Sequence, residues 1–164
     1  MDTNTAASLA RTLMNEHGLG HWTFQFDRAK RRAGSCSHRR QTITLSPHYV
    51  LNNSDEDIKD TILHEIAHAL AGPRQGHNKV WKAVCIRIGA RPVRCYGDHV
   101  EMPKGQWRAT CKSCKKEFHH HRRPKYITGK YCRRCGPNNG ALFYTRTEHA
   151  PVIREILNNA VYGE

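Results

Sequence analysis

Along the first hundred residues the apolar positions follow two periods. Ala6, Leu9, Ala10, Leu13 and Met14 recur at three- and four-residue intervals, which predicts an amphipathic helix over residues 4–17, closed by Gly18 and Gly20. The period then shortens to two. Trp22, Phe24 and Phe26 alternate with polar residues, as do Ile43 and Leu45, so each run predicts a strand. A third strand is expected at 32–37, turning back through 37–40. Helical spacing returns in "NNSDEDIKDTILHEIAHALAG". Ser54 is placed to cap that helix, with Asp57 three residues on and acids throughout the first turn. Ile58, Ile62, Ile66 and Leu70 form its core stripe, Leu63 and Ala67 lie beside them, and Gly72-Pro73 stops it. A second helix is expected over about 78–88, with Val80, Trp81, Val84, Cys85 and Ile88 buried and Gly89 at its end.

Beyond residue 101 this order is lost. The stretch to Cys135 is basic, poor in aliphatic residues and too thin to build its own core, so it needs a staple. "ALFYT" predicts a closing strand, and 151–162 an amphipathic last helix through Val152, Ile153, Ile156, Leu157, Ala160 and Val161. The expected organisation is therefore α+β. A module over 1–101 has helices on a small antiparallel sheet, and a cysteine-stapled module with its terminal helix covers 102–164. No apolar run approaches the roughly 20 residues of a membrane span. The N-terminus lacks the basic-then-apolar order of a signal peptide. An intracellular, cytoplasmic protein is expected. In that compartment its 7 cysteines are not a disulfide framework.

The chemistry sits first in "LHEIAHALAGPRQGHNKVW". Residues four apart share a helix face, so His64 and His68 can reach one metal ion, with Glu65 on the flank. This is the H-E-x-x-H arrangement of zinc metallopeptidases. Neutral imidazoles leave the ion most of its charge, which acidifies water and polarises a carbonyl; a carboxylate beside that water can take its proton. Gly76 lets the chain fold back after the Gly-Pro break, so that His77 supplies a third ligand. Glu101 or Asp98 is the rival third ligand. Chance matches to the motif run to roughly 0.04 per sequence of this composition, and a capped helix followed by Gly-His lowers that further.

"CKSC" and "CRRC" form the second constellation. Cys111, Cys114, Cys132 and Cys135 have the spacing of a structural zinc ribbon, four thiolates closing a tetrahedron. Cys36 and Cys85 read as small buried hydrophobes. The net charge of +13 concentrates here: residues 102–135 carry eleven Lys/Arg against one acid. Lys112, Lys115, Lys116, Arg122, Arg123, Lys125, Lys130, Arg133 and Arg134 are the candidate phosphate contacts. Trp107, Phe118, Tyr126 and Tyr131 are interleaved with them, although Phe118 is expected to pack on the zinc knuckles. Cations among aromatic platforms suit single-stranded or distorted DNA, and no base-reading helix is evident, so binding without sequence preference is expected. His119, His120 and His121 are expected to be exposed.

Taken together, "RRAGSCSHRRQTITLSP", "DTILHEIAHAL", "GHNKVWKAVC", "WRATCKSC" and "YCRRCG" resemble the SprT/Spartan family of zinc metalloproteases, in its bacterial type with a zinc ribbon. The resemblance covers nearly the whole chain. It implies a zincin-like first module, His64, His68 and His77 as ligands of a catalytic zinc, Glu65 as the base, and a second, structural zinc on the four cysteines. It further implies a monomeric, nucleoid-associated protease that cleaves proteins bound or crosslinked to DNA. Spartan-type members carry long partner-binding tails, whereas 29 residues follow Cys135 here. The rival reading is a DNA-binding ribbon protein whose histidine site is structural or vestigial. Glu65 discriminates, because a structural site has no use for a base there.

Overall fold

The structure is a computed structural model and describes residues 1–94, 101–102 and 104–147. The expected helix over 151–162, Cys95 and Asp98 lie outside the described residues. The described residues divide into two compact units, parted between 102 and 104, each with its own three-stranded sheet.

In the first unit, α1 (Thr3–Glu16) is capped by the Asp2 side chain, which accepts from the Thr5 N–H. It buries Ala6, Ala10, Leu13 and Met14 against α3 and β1 (Thr23–Phe26). β2 (Gly34–Ser37) and β3 (Thr42–Leu45) form a hairpin whose turn spans 38–41. β1 pairs with the other edge of β3, and the two run parallel. The sheet is therefore mixed, not the small antiparallel sheet expected. Alternation marks strands but not their order. Once β2 folds back on β3 along the side next to α3, the remaining edge is open only to β1, in β3's direction.

A four-residue turn of helix, α2 (Pro47–Val50), which the apolar pattern does not mark, precedes α3 (Asp55–Ala71). Ser54 caps α3 as expected: its hydroxyl accepts from the Asp57 N–H at 3.2 Å and donates to the Asp57 carboxylate at 2.7 Å. Ile58, Ile62 and Ile66 are fully buried, each contributing about 1.5–3 kcal/mol of apolar burial. α3 runs beneath β2 and packs on α4 (Lys79–Ile88). α4 is capped by Asn78, whose side chain accepts from the N–H groups of Val80 and Trp81. It buries Trp81, Val84 and Cys85. Val80, expected in the buried face, is instead 50% exposed, because the first turn of α4 presents only Trp81 to α3. α3 thus carries one stripe into the core and a second toward β2 and α4, which is where its polar residues converge.

The second unit has β4 (Trp107–Cys111) at its centre, with β5 (Glu117–His120) and β6 (Leu142–Arg146) antiparallel on either side. β6 lies in the expected closing strand. A short helical turn, α5 (Gly136–Asn139), follows Cys135. Ala109, Cys111 and Cys132 are its buried apolar residues among those described, which is too little for a self-standing core.

Candidate metal centres

His64 and His68 project from α3 into one cleft, and His77 enters it from the segment ahead of α4. The path between them turns at two glycines with positive φ, Gly72 (+91°) and Gly76 (+54°), a region closed to most side chains. Asn78 then starts α4 immediately, which fixes the residue before it. The ring Nε2 atoms of His77 and His68 lie 3.2 Å apart, as do those of His77 and His64. Three nitrogens at about 2.0–2.1 Å from one tetrahedral ion stand about 3.3 Å from one another. The donor set therefore fits zinc. Burial and the neighbouring rings push the His64 pKa down to about 3 and the His68 pKa to about 4; burial and Arg94 lower His77. All three imidazoles are neutral at physiological pH, with lone pairs available.

Trp81 is the shared floor of this cluster. Its fully buried indole stacks on His68, with centroids 5.2 Å apart and planes at 27°. It meets His64 at 4.8 Å and His77 at 4.6 Å edge-on. The apolar pattern marks Trp81 as core; that it orients all three rings is visible only in the packing. Glu101, the rival third ligand, is drawn away. Its backbone N–H donates to the Asn53 side chain and its carbonyl accepts from it, both at 2.8 Å, and its carboxylate is not among the converging atoms.

Glu65 sits beside the histidines, 6% exposed, under β2. Burial pushes its pKa up to about 8, against the pull of Arg32, while Asp27 adds to the rise. A divalent cation on the histidines would draw it back down. Its position depends on Gly34. A Cβ there would stand 2.9 Å from Glu65 Cγ and 2.9 Å from the Thr44 carbonyl oxygen, so the strand has no room for a side chain. The same cleft is lined by Cys36, whose thiol is pushed up to about 12 by burial and by Glu65, so it stays protonated. Gly34 is the residue that pattern reading missed; the signal was a lone glycine in an otherwise plausible strand.

A family model for the SprT-like family matches residues 4–102. The chain belongs to the SprT-like family. Membership points to a metalloprotease-like function, and the match spans the unit that holds the histidines. The search of curated proteins returned no match.

This SprT-like chain has its second metal-competent group in the ribbon unit. The Sγ atoms of Cys111, Cys114, Cys132 and Cys135 all lie within 4.8 Å of one another, with Cys114 and Cys132 at 3.8 Å. Thiolates about 2.3 Å from a tetrahedral zinc stand about 3.8 Å apart, so this donor set fits as well. The two knuckles are built alike. The Lys115 N–H donates to the Cys111 carbonyl and the Gly136 N–H to that of Cys132, each from a residue with positive φ (+59° and +71°). Backbone N–H groups of Cys114 and Ser113 point at the Cys111 sulfur and lower its pKa, while the neighbouring sulfurs of Cys114 and Cys111 raise that of Cys135. His119, His120 and His121 take no part in either group; His119 faces Glu117 at 3.8 Å. Three of the ribbon's cations stand over rings: Arg123 over Trp107, Lys116 over Phe118 and Lys125 over Tyr126, at 5.3–5.6 Å. Tyr126, Tyr131 and also Phe143, not singled out by the sequence, are exposed. Among the described residues no helix is long and apolar enough to cross a membrane.

Two predictions follow from this geometry. Gly34→Ala should cost about 1–3 kcal/mol of stability through overpacking, and a Glu65→Ala background should relieve the part of that cost set by Glu65 but not the part set by the Thr44 carbonyl oxygen. A urea-unfolding double-mutant cycle measures it; additive costs would mean that Gly34 does not hold Glu65 in place. Purified protein should also carry two zinc ions of unequal lability, with a chelator removing the histidine-held ion first, because four charged thiolates grip harder than three neutral imidazoles. Metal analysis of wild type, His64→Ala and Cys111→Ser/Cys135→Ser checks both sites. A single ion that survives the cysteine variant but not His64→Ala would remove the ribbon site.

Proposed function

We propose that this SprT-like protein is a zinc-dependent endopeptidase that works on proteins bound or crosslinked to DNA. The observation that carries the proteolytic part is the placement of Glu65: a buried carboxylate beside three converging neutral imidazoles, with Gly34 cleared to admit it. His64, His68 and His77 would hold a zinc ion, which would supply a Lewis acid for a scissile carbonyl and for water. They would hold it with three neutral nitrogens, and a catalytic rather than a structural zinc is the kind that such a three-ligand protein set suits. Glu65 accepts the water's proton on a carboxylate oxygen and returns it to the leaving amine. Its seclusion from bulk water keeps the transfer local. Trp81 keeps the imidazoles in register and shields them from solvent on their inner side.

The ribbon supplies the nucleic-acid half of the proposal. Its four cysteines hold a structural zinc that replaces the missing core. Lys112, Lys115, Lys116, Arg122, Arg123, Lys125, Lys130, Arg133 and Arg134 contact phosphates. The exposed rings of Tyr126, Tyr131 and Phe143 offer faces to unstacked bases, which favours single-stranded or distorted DNA without sequence preference. Under this reading the protein acts as a monomer among the nucleoid's proteins.

Glu65→Gln should keep both metals and the fold while abolishing cleavage of a DNA-bound protein, by several powers of ten in kcat, since base and metal act on the same water. The assay runs with single-stranded, double-stranded and no DNA, with and without chelator. Turnover near wild type would rule out this mechanism, and a large fall in Tm would make Glu65 structural. For the ribbon, DNA affinity should fall steeply with salt. Replacing Lys115, Lys116, Arg122 and Arg123 by Gln should flatten that dependence and weaken all sequences alike, with both metals retained. An unchanged salt slope in this fourfold variant would remove the ribbon as a DNA-binding element.

A further inference from the structure

The charge of the first unit is as unevenly placed as that of the ribbon. Residues 28–40 hold six Lys/Arg and no acid, while the other residues of 1–101 hold eight against ten. The whole basic excess of this unit therefore lies on the segment that runs from β1 into β2 and around the β2–β3 turn. Folding brings further cations to the same place. The cleft of about 660 Å³ that contains His64, His68, His77 and Glu65 is lined by Arg31, Arg32, Arg74 and Arg94, and among the described residues that line it Glu65 is the single carboxylate. Of the other described acids, Asp27 pairs with Arg32, and none is among the residues lining the cleft. Asp55, Glu56, Asp57 and Asp60 sit in the first two turns of α3, and Arg91 takes Asp57 and Asp60 at 2.9 and 2.8 Å.

Among the cleft arginines, Arg32 is held by Asp27 at 2.5 Å. Arg31, Arg74 and Arg94 are exposed and have no ion-pair partner among the described residues. Like charges crowded round one opening repel, which is a cost to the fold unless an anion shares the site. All four are arginines, whose planar forks match paired oxygens, and none is a lysine.

We propose that this arginine rim is a second nucleic-acid contact, which holds the phosphate backbone at the mouth of the histidine cleft independently of the ribbon. It rests on the reading of the protein as DNA-associated and extends it: the protease unit itself touches the phosphates next to the protein being cut. A polypeptide joined to nucleic acid presents a peptide bond and phosphates within a few residues of one another. A cleft with a metal-competent floor and an arginine rim accommodates both. An acidic peptide is the competing ligand for such forks, and the experiment separates it.

The test uses the whole chain with both metals bound and a fluorescent oligothymidylate, with affinity followed across a salt series. Arg31→Gln/Arg74→Gln/Arg94→Gln should lower the slope of log affinity against log salt by about 2, at roughly 0.7 per phosphate contact on a single strand. Combining it with the fourfold ribbon variant should give the sum of the two reductions. A slope unchanged by the triple variant but flattened by the ribbon variant would overturn the rim while leaving the ribbon reading intact. Absence of any salt-dependent binding by the wild type would overturn both. Polyglutamate competing as well as unlabelled oligothymidylate of equal charge, and losing that ability in the triple variant, would overturn the assignment to phosphate and make the rim a reader of acidic protein.

Discussion

Three imidazole nitrogens gathered within 4.8 Å of one another, that of His77 3.2 Å from each of the other two, form an arrangement that neutral rings alone do not favour. At most a proton or two can be shared among them, and burial makes extra protons costly. A cation between the nitrogens turns the same geometry from strained to favourable. Much of the first unit is organised to impose that convergence. α3 fixes two rings by its pitch, two left-handed glycines return the chain, Asn78 begins the next helix at once, and Trp81 gives the rings a common wall. Glu65 is held apart from the nitrogens by the same helix and admitted beneath β2 because Gly34 has no side chain.

The two units meet the problem of stability differently. The first has a continuous apolar core running from α1 through β1 and β3 to α3 and α4, and can place polar groups at its edge. The second buries little beyond Ala109 and its cysteines, and its knuckles are held by matched turns with a left-handed residue after each pair. A metal there would act on folding itself, since among the described residues the sheet that joins the two cysteine pairs has little apolar burial behind it. One donor set has four sulfur ligands, the other three neutral nitrogens. The same element would serve structure in one and chemistry in the other.

Charge is segregated in both units. Acids gather at the N-terminus of α3, where the helix dipole and Arg91 absorb them, and cations gather along the cleft and through the ribbon. Such separation weakens each unit by self-repulsion on its basic face, which an anionic partner would relieve.

Much was legible in the chain itself because its causes are local. Helical spacing, a Ser cap with an acid three residues on, and glycine stops fixed α1, α3 and α4 to within a residue or two. Two histidines four apart on a capped helix, and two Cys-x-x-Cys pairs, carry their geometry in their spacing. Other features depended on contacts between distant segments. The parallel pairing of β1 with β3 depends on which side of β3 the hairpin leaves open, and no periodicity records that. The exposure of Val80 depends on which residues of α4 the neighbouring elements cover, here Trp81, Val84 and Cys85. Lys115 in a left-handed turn, Gly34 as the seat of Glu65, Trp81 as the wall behind three rings, and Arg74 and Arg94 joining Arg31 at one cleft are matters of approach in space. Sequence spacing determines which side chains share a helix face; only the tertiary fold decides which atoms from separate segments come within a few ångströms, because that depends on how the core packs.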